Sequence, residues 1–176
     1  MREKNSPKGL SVRPASLEEL DRIMEIYGTA REFMRKNGNA SQWVNGYPDR
    51  ELLASDIASG HLYVCVNPDD PSHEERICGV FCFVAGPDPT YQIIEKGSWL
   101  SDLPYHVIHR LASDGSYRGI TSICLDWCFR QDRNIRVDTH EDNTVMQHLL
   151  EKNGFERCGI IYVEDGSPRL AYQKTI

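Results

Sequence analysis

The sequence predicts one mixed α/β domain of seven strands and four helices. Three observations carry this. Stretches with a period of two alternate with stretches of period 3.6 along the whole chain, and there is no internal repeat. The run from Ile77 to Ala85 is apolar on both faces, as a strand inside a sheet must be. The 176 residues are 40% hydrophobic and 26% charged, enough apolar mass for one core without covalent staples.

The elements follow in order. Residues 1–9 are polar and expected to be flexible, which leaves 10–176 as the domain. Leu10 to Pro14 is a short strand. Ser16 and Glu19 form a capping box, in which hydroxyl and carboxylate each satisfy a free backbone donor. Leu20, Ile23, Met24, Tyr27, Ala30 and Met34 then recur at helical spacing until Gly38. A loop through Trp43 and Tyr47 follows, and Asp49 caps a short helix ending near Gly60. His61 to Val66 is a strand, and residues 67–71 form a turn. After the central strand at 77–85, the stretch from Gly86 to Pro104 is irregular, broken by Pro87, Pro89 and Gly97. Tyr105 to Ser113 is a strand. A helix begins at Gly119 with Ile120, Ile123, Cys124, Trp127 and Cys128 on one face. Ile135 to Thr139 is a strand. Asp142 or Asn143 caps the last helix, which Asn153 and Gly154 close. Phe155 to Val163 and Arg169 to Lys174 are the final strands, joined by a hairpin turn.

Bulk properties exclude several functions. The net charge of −6 argues against nucleic acid as a partner. No apolar run approaches the ~20 residues of a membrane helix, so no membrane is expected. The first residues lack the apolar run of a secretion signal, and a cytoplasmic location is expected. Of the six cysteines, Cys78/Cys82 and Cys124/Cys128 lie four apart, a spacing that puts each pair on one face of a strand or helix. With no histidine at ligand spacing beside them, they read as buried thiols rather than as a metal site.

The chemistry concentrates between Tyr105 and Phe155. There a strand turns directly into a helix N-terminus, whose free amides and dipole suit a phosphate, with Arg118 at the entrance. An ordinary strand–helix connection with a surface arginine fits the same residues. The order of elements decides between them, and the segment from Asn143 to Phe155 is its most specific part. Asn143, Leu149, Lys152, Gly154 and Phe155 stand in the pattern N-x-x-A-x-x-L-Y-x-K-x-G-F. With the order of elements from Leu10 to Lys174, this motif resembles the GNAT superfamily of N-acetyltransferases.

The resemblance implies a mixed, mostly antiparallel sheet splayed open between the strands at 105–113 and 134–139. It implies acetyl-coenzyme A as cosubstrate and no metal. Pantetheine would pair with the backbone of Leu111, Ala112 and Ser113. The pyrophosphate would rest on Arg118, Gly119, Ile120, Thr121, Ser122 and Ile123, and Asn143 would touch the coenzyme. Thr121 and Ile123 stand where the family's loop carries glycine and a small residue. Leu150 stands where many relatives carry the tyrosine that protonates the leaving thiolate. These three departures keep open a second reading, a non-catalytic acyl-coenzyme A sensor or interaction module on the same fold.

An alkylammonium acceptor titrates near 10.4, so its neutralisation at pH 7 costs roughly 4.6 kcal/mol. A thiol near 8.5 leaves far more easily, so the base matters more than the acid. Tyr105, Val107, His109, Leu111 and Ser113 are expected on one strand face, and of these side-chain types only histidine titrates near neutrality. His109 is the first candidate base and His140 the second; a structural histidine is the alternative. Tyr162, Tyr172 and Cys158 are candidate acids or packing residues. The acceptor, an amine of a small molecule or peptide, is expected against the loop aromatics Trp43, Tyr47, Tyr91 and Trp99. Asp102, Glu95 or Asp49 would hold its ammonium. By analogy with the family, a homodimer is possible.

Overall fold

The computed structural model describes residues 9–72 and 75–176. The expected flexible stretch at 1–9 therefore lies, save Gly9, outside the described residues. Seven strands form one open sheet: β1 (Ser11–Pro14), β2 (Leu62–Asn67), β3 (Arg76–Ala85), β4 (His106–Ser113), β5 (Asn134–Thr139), β6 (Glu156–Tyr162) and β7 (Pro168–Thr175). Their order is β1-β2-β3-β4-β5-β7-β6. Every pairing is antiparallel except that of β4 with β5. Four α-helices accompany them: α1 (Leu20–Lys36), α2 (Arg50–Ala58), α3 (Ile120–Gln131) and α4 (Thr144–Lys152).

Helix starts follow the caps read from sequence. The Glu19 carboxylate accepts the Ser16 amide at 2.9 Å, first over a short 3-10 turn at Leu17–Glu19 and then into α1. Asp49 accepts the Leu52 amide at 2.8 Å, and Asn143 accepts that of Met146 at 3.1 Å. The start of α3 differs. Its N-cap is Gly119 at φ +81°, with no side chain capping it. That left-handed turn suits glycine alone without strain, and it leaves the first amides of α3 facing outward.

The sheet separates two cores. Phe81, Phe83, Ile108, Cys124, Cys128, Leu150 and Tyr172 pack on the side of α3 and α4. Ile23, Ile26, Tyr27, Leu53, Val64, Val80, Cys82 and Ala112 pack on the side of α1 and α2. Two bulges break the strict alternation expected of the strands. In β3, Ile77 pairs with Val66 but Gly79 with Cys65, so Cys78 is an extra residue. Cys78 therefore faces α3 while Cys82 faces α1, which corrects the expectation that the two share a face. In β4, Val80 pairs with Ala112 but Cys82 with His109, and Arg110 takes φ +53°. This bulge sends His109 and Ala112 to the α1 side and Leu111 to the α3 side. The expected common face of Tyr105, Val107, His109, Leu111 and Ser113 is thereby corrected: the extra residue reverses parity after His109.

No helix among the described residues is long and apolar enough to cross a membrane. All six cysteines are free and buried, and no group of three potential metal ligands occurs among the described residues.

Candidate active site

β4 and β5 pair only where His106, Val107 and Ile108 meet Ile135, Arg136 and Val137. Beyond Ile108 the two strands part. A cavity of about 660 Å³ fills the opening and is lined from both faces of the sheet. On the α3 and α4 side its wall holds Thr121, Leu125, Met146 and Leu150; on the α1 side it holds Phe33, Trp43, Tyr47, His109 and Arg110. Leu111, Ala112 and Ser113 line the parted edge of β4 between them. The β4 bulge is held from α1, where the Tyr27 hydroxyl donates to the Arg110 carbonyl at 2.8 Å.

His109 Nε2 lies 2.9 Å from Asp88 Oδ2. Asp88 begins the 3-10 turn Pro89–Tyr91, where its Oδ1 accepts the Thr90 amide at 2.8 Å and the Thr90 hydroxyl at 2.7 Å. Burial opposes its charge, but the hydrogen bonds from His109 and Thr90 win and bring the carboxyl down to about 2. An ionised carboxylate only accepts, so Nε2 carries the proton and Nδ1 of a neutral ring keeps its lone pair. The ring lies at the cavity wall, where a neutral imidazole bonded this way keeps one accepting nitrogen.

Around this pair, Tyr91 donates its hydroxyl to Asp138 Oδ1 at 2.5 Å, and Arg110 is bonded to Asp56 and to the Tyr47 hydroxyl. Burial pushes the Tyr91 hydroxyl far above its usual range, with Asp138 adding to it, so that proton is not released. Gln42 Oε1 gathers the Asn39 and Asn143 carboxamides at 3.0 and 2.9 Å, tying the early loop to α4.

The structure brings together some of the sequence-derived residues and not others. Trp43, Tyr47, His109, Leu111, Ala112, Ser113, Thr121 and Asn143 line the cavity. Asn143 spends its side chain on the Met146 amide and on Gln42. Arg118 is exposed and, with Gly119, Ile120, Ser122 and Ile123, lies outside the lining; Ile120 is buried against the sheet. His140 also lies outside it, its Nδ1 accepting the Asp142 amide at 3.0 Å in the turn before α4. Tyr91 and Trp99 pack against each other, ring centroids 5.3 Å apart, behind the wall. Asp49 caps α2, Glu95 accepts the Tyr162 hydroxyl, and Asp102 is fully exposed beside Arg136. Tyr162, Tyr172 and Cys158 do not line the cavity. Sequence reasoning missed Asp88, Asp138 and Gln42. The Asp88–Pro89–Thr90 turn signal was legible, but nothing in the sequence aims it at His109.

No family model matches the sequence, and no curated protein matches it either. Solved structures do match. An acetyltransferase of the GNAT family from Streptococcus agalactiae 2603 is similar at 31% identity, with 96% of each chain covered and a TM-score of 0.84. A GNAT-family acetyltransferase from Listeria monocytogenes 4b F2365 shares the fold at 17% identity, covering 95% of each chain with a TM-score of 0.67. The PaiA N-acetyltransferase from Thermoplasma acidophilum, solved in complex with coenzyme A, shares it at 13% identity and a TM-score of 0.64, covering 96% of this chain and all of that one.

Proposed function

The chain belongs to the GNAT family of acetyltransferases, and from that premise we propose that it moves an acetyl group from acetyl-coenzyme A to an amine of a small molecule or peptide. The parted strands support this reading most directly. Beyond Ile108, the β4 edge facing β5 has no strand partner among the described residues, so its backbone groups are open to a pantetheine arm. Thr121, in the first turn of α3, lines that groove, and the uncapped start of this helix would hold the pyrophosphate. The acceptor enters from the α1 side, against Phe33, Trp43 and Tyr47.

The amine attacks the thioester carbonyl directly. His109 takes the proton that an ammonium must lose, through Nδ1, and the Asp88 carboxylate stabilises the imidazolium. The C–N bond forms, the C–S bond breaks, and the departing thiolate takes the second proton that the acetylated nitrogen sheds. With a thiol near 8.5 as leaving group, the apolar Leu150 on the coenzyme side is no obstacle.

Thermal melting with acetyl-coenzyme A, followed by thiol release on a panel of amines, tests the proposal. A rise in Tm with turnover of at least one amine is expected. Binding without turnover on any amine supports the sensor reading instead, and no binding overturns both.

A further inference from the structure

Arg169 is a cavity charge that the chemistry above leaves unused. It stands on β7 opposite Ile161 of β6, which packs with Tyr91, Val107 and Ala171. Its neighbour Leu170 faces the other way, toward the core beneath α4. Arg169 therefore lies on the acceptor face, across the sheet from the helices proposed to hold the coenzyme. The residue is 8% exposed and lines the cavity.

Its bonding is incomplete. Nη1 donates to the carbonyl of adjacent Pro168 at 2.9 Å, and no carboxylate among the described residues lies within ion-pair distance. Asp165, in the hairpin turn, feels its charge but gives Oδ1 to the Ser167 amide. Other enclosed arginines have a charge or ring partner: Arg110 pairs with Asp56, and Arg136 lies between the rings of Trp99 and Tyr105. The guanidinium nitrogens that Pro168 leaves unused are open to the cavity, and the planar fork fits a carboxylate with two parallel bonds.

A second charge stands one diagonal away. Asp138 of β5 pairs with Ala171, two residues along β7 from Arg169, and it also lines the cavity. Such diagonal neighbours have Cα atoms about 7–8 Å apart. The Tyr91 hydroxyl occupies Asp138 Oδ1, which leaves Oδ2 for an ammonium. Resting on the acetyl-transfer reading, we propose that the acceptor is a free amino acid or a similar amine carrying a carboxylate, which Arg169 binds.

Matched acceptor pairs test this: phenylalanine against phenethylamine, and lysine against cadaverine, with phenylalaninamide as an uncharged control. The wild-type protein is expected to favour the carboxylate-bearing member by about tenfold or more in kcat/KM. Arg169→Gln should lower kcat/KM for phenylalanine about tenfold more than for phenethylamine, mainly through KM, and Arg169→Lys should restore part of the difference. Melting curves of both variants establish that they fold. If the wild-type protein turns over phenethylamine or cadaverine as well as their partners, or if Arg169→Gln lowers both members equally, this inference is wrong and acetyl transfer stands. If no amine releases thiol, both fall together.

Discussion

Asp88 and His109 meet side chain to side chain at 2.9 Å although 21 residues separate them in the chain. The contact joins an irregular loop to a sheet strand, and it sets which nitrogen of a neutral imidazole carries the proton. His109→Gln is expected to reduce kcat/KM by about 10² to 10⁴ at neutral pH and to remove the limb of the pH–rate profile nearest neutrality. An unchanged profile would remove the base role.

The same pair has a thermodynamic signature. The Asp88 carboxyl is lowered to about 2, so the group binds fewer protons folded than unfolded. Its contribution, roughly 2–3 kcal/mol, is complete above the unfolded value near 4 and disappears as pH falls from there through 2. Asp88→Asn should therefore melt below the wild-type protein at pH 7, with the two curves converging toward pH 2. Parallel melting temperatures across that range would contradict the assignment.

Gly79 controls how closely α3 approaches the sheet. A Cβ there would lie 2.7 Å from Ile120 Cγ2 and 3.2 Å from Cys65 Cβ. Ile120 is β-branched and sits in the first turn of α3, so it has little freedom to move aside. Gly79→Ala is expected to cost about 1–3 kcal/mol in stability, as overpacking does. It should also displace the amides proposed to hold the pyrophosphate, raising KM for acetyl-coenzyme A more than it changes kcat. Calorimetric binding of the coenzyme measures that displacement directly.

The seven strands and four helices were legible because period, caps and turn residues are local signals. Both bulges were not. Cys78 and Arg110 become extra residues only through the register of the neighbouring strand, and no glycine or proline at either position announces it. The error then propagates, since one unpaired residue reverses every side chain beyond it. Loop aromatics illustrate a second limit. Trp43 and Tyr47 reach the cavity while Tyr91 and Trp99 pack behind it, a difference set by where each loop folds back and not by residue type. The sequence marks Arg169 only as the start of a strand, because its enclosure depends on β6 and on the cavity beside it.

Tyr27 supports the β4 bulge from beneath. It is fully buried, and its hydroxyl donates to the carbonyl of Arg110, the residue at φ +53°. Tyr27→Phe keeps the ring and leaves that carbonyl without its donor. A loss of about 1–2 kcal/mol in chemical denaturation is expected. Because the bulge sets the direction of His109, kcat/KM should fall as well, whereas a purely structural hydroxyl would lower stability alone.

Two ion pairs on the α1 side separate burial from charge. Arg110 and Asp56 are each largely enclosed, with side-chain exposures of 12% and 14%. Lys36 and Glu32, one turn apart on α1, are exposed at 68% and 54%. Removing one partner of the enclosed pair strands a guanidinium inside the protein, so Asp56→Ala should cost about 3–5 kcal/mol. Glu32→Ala should leave stability almost unchanged, since water and salt already screen the partner it leaves behind. The size of the gap follows from desolvation and not from contact distance, because both pairs are in direct contact. Raising salt should shrink the smaller effect and leave the larger one nearly intact, which urea titrations at low and high ionic strength can read.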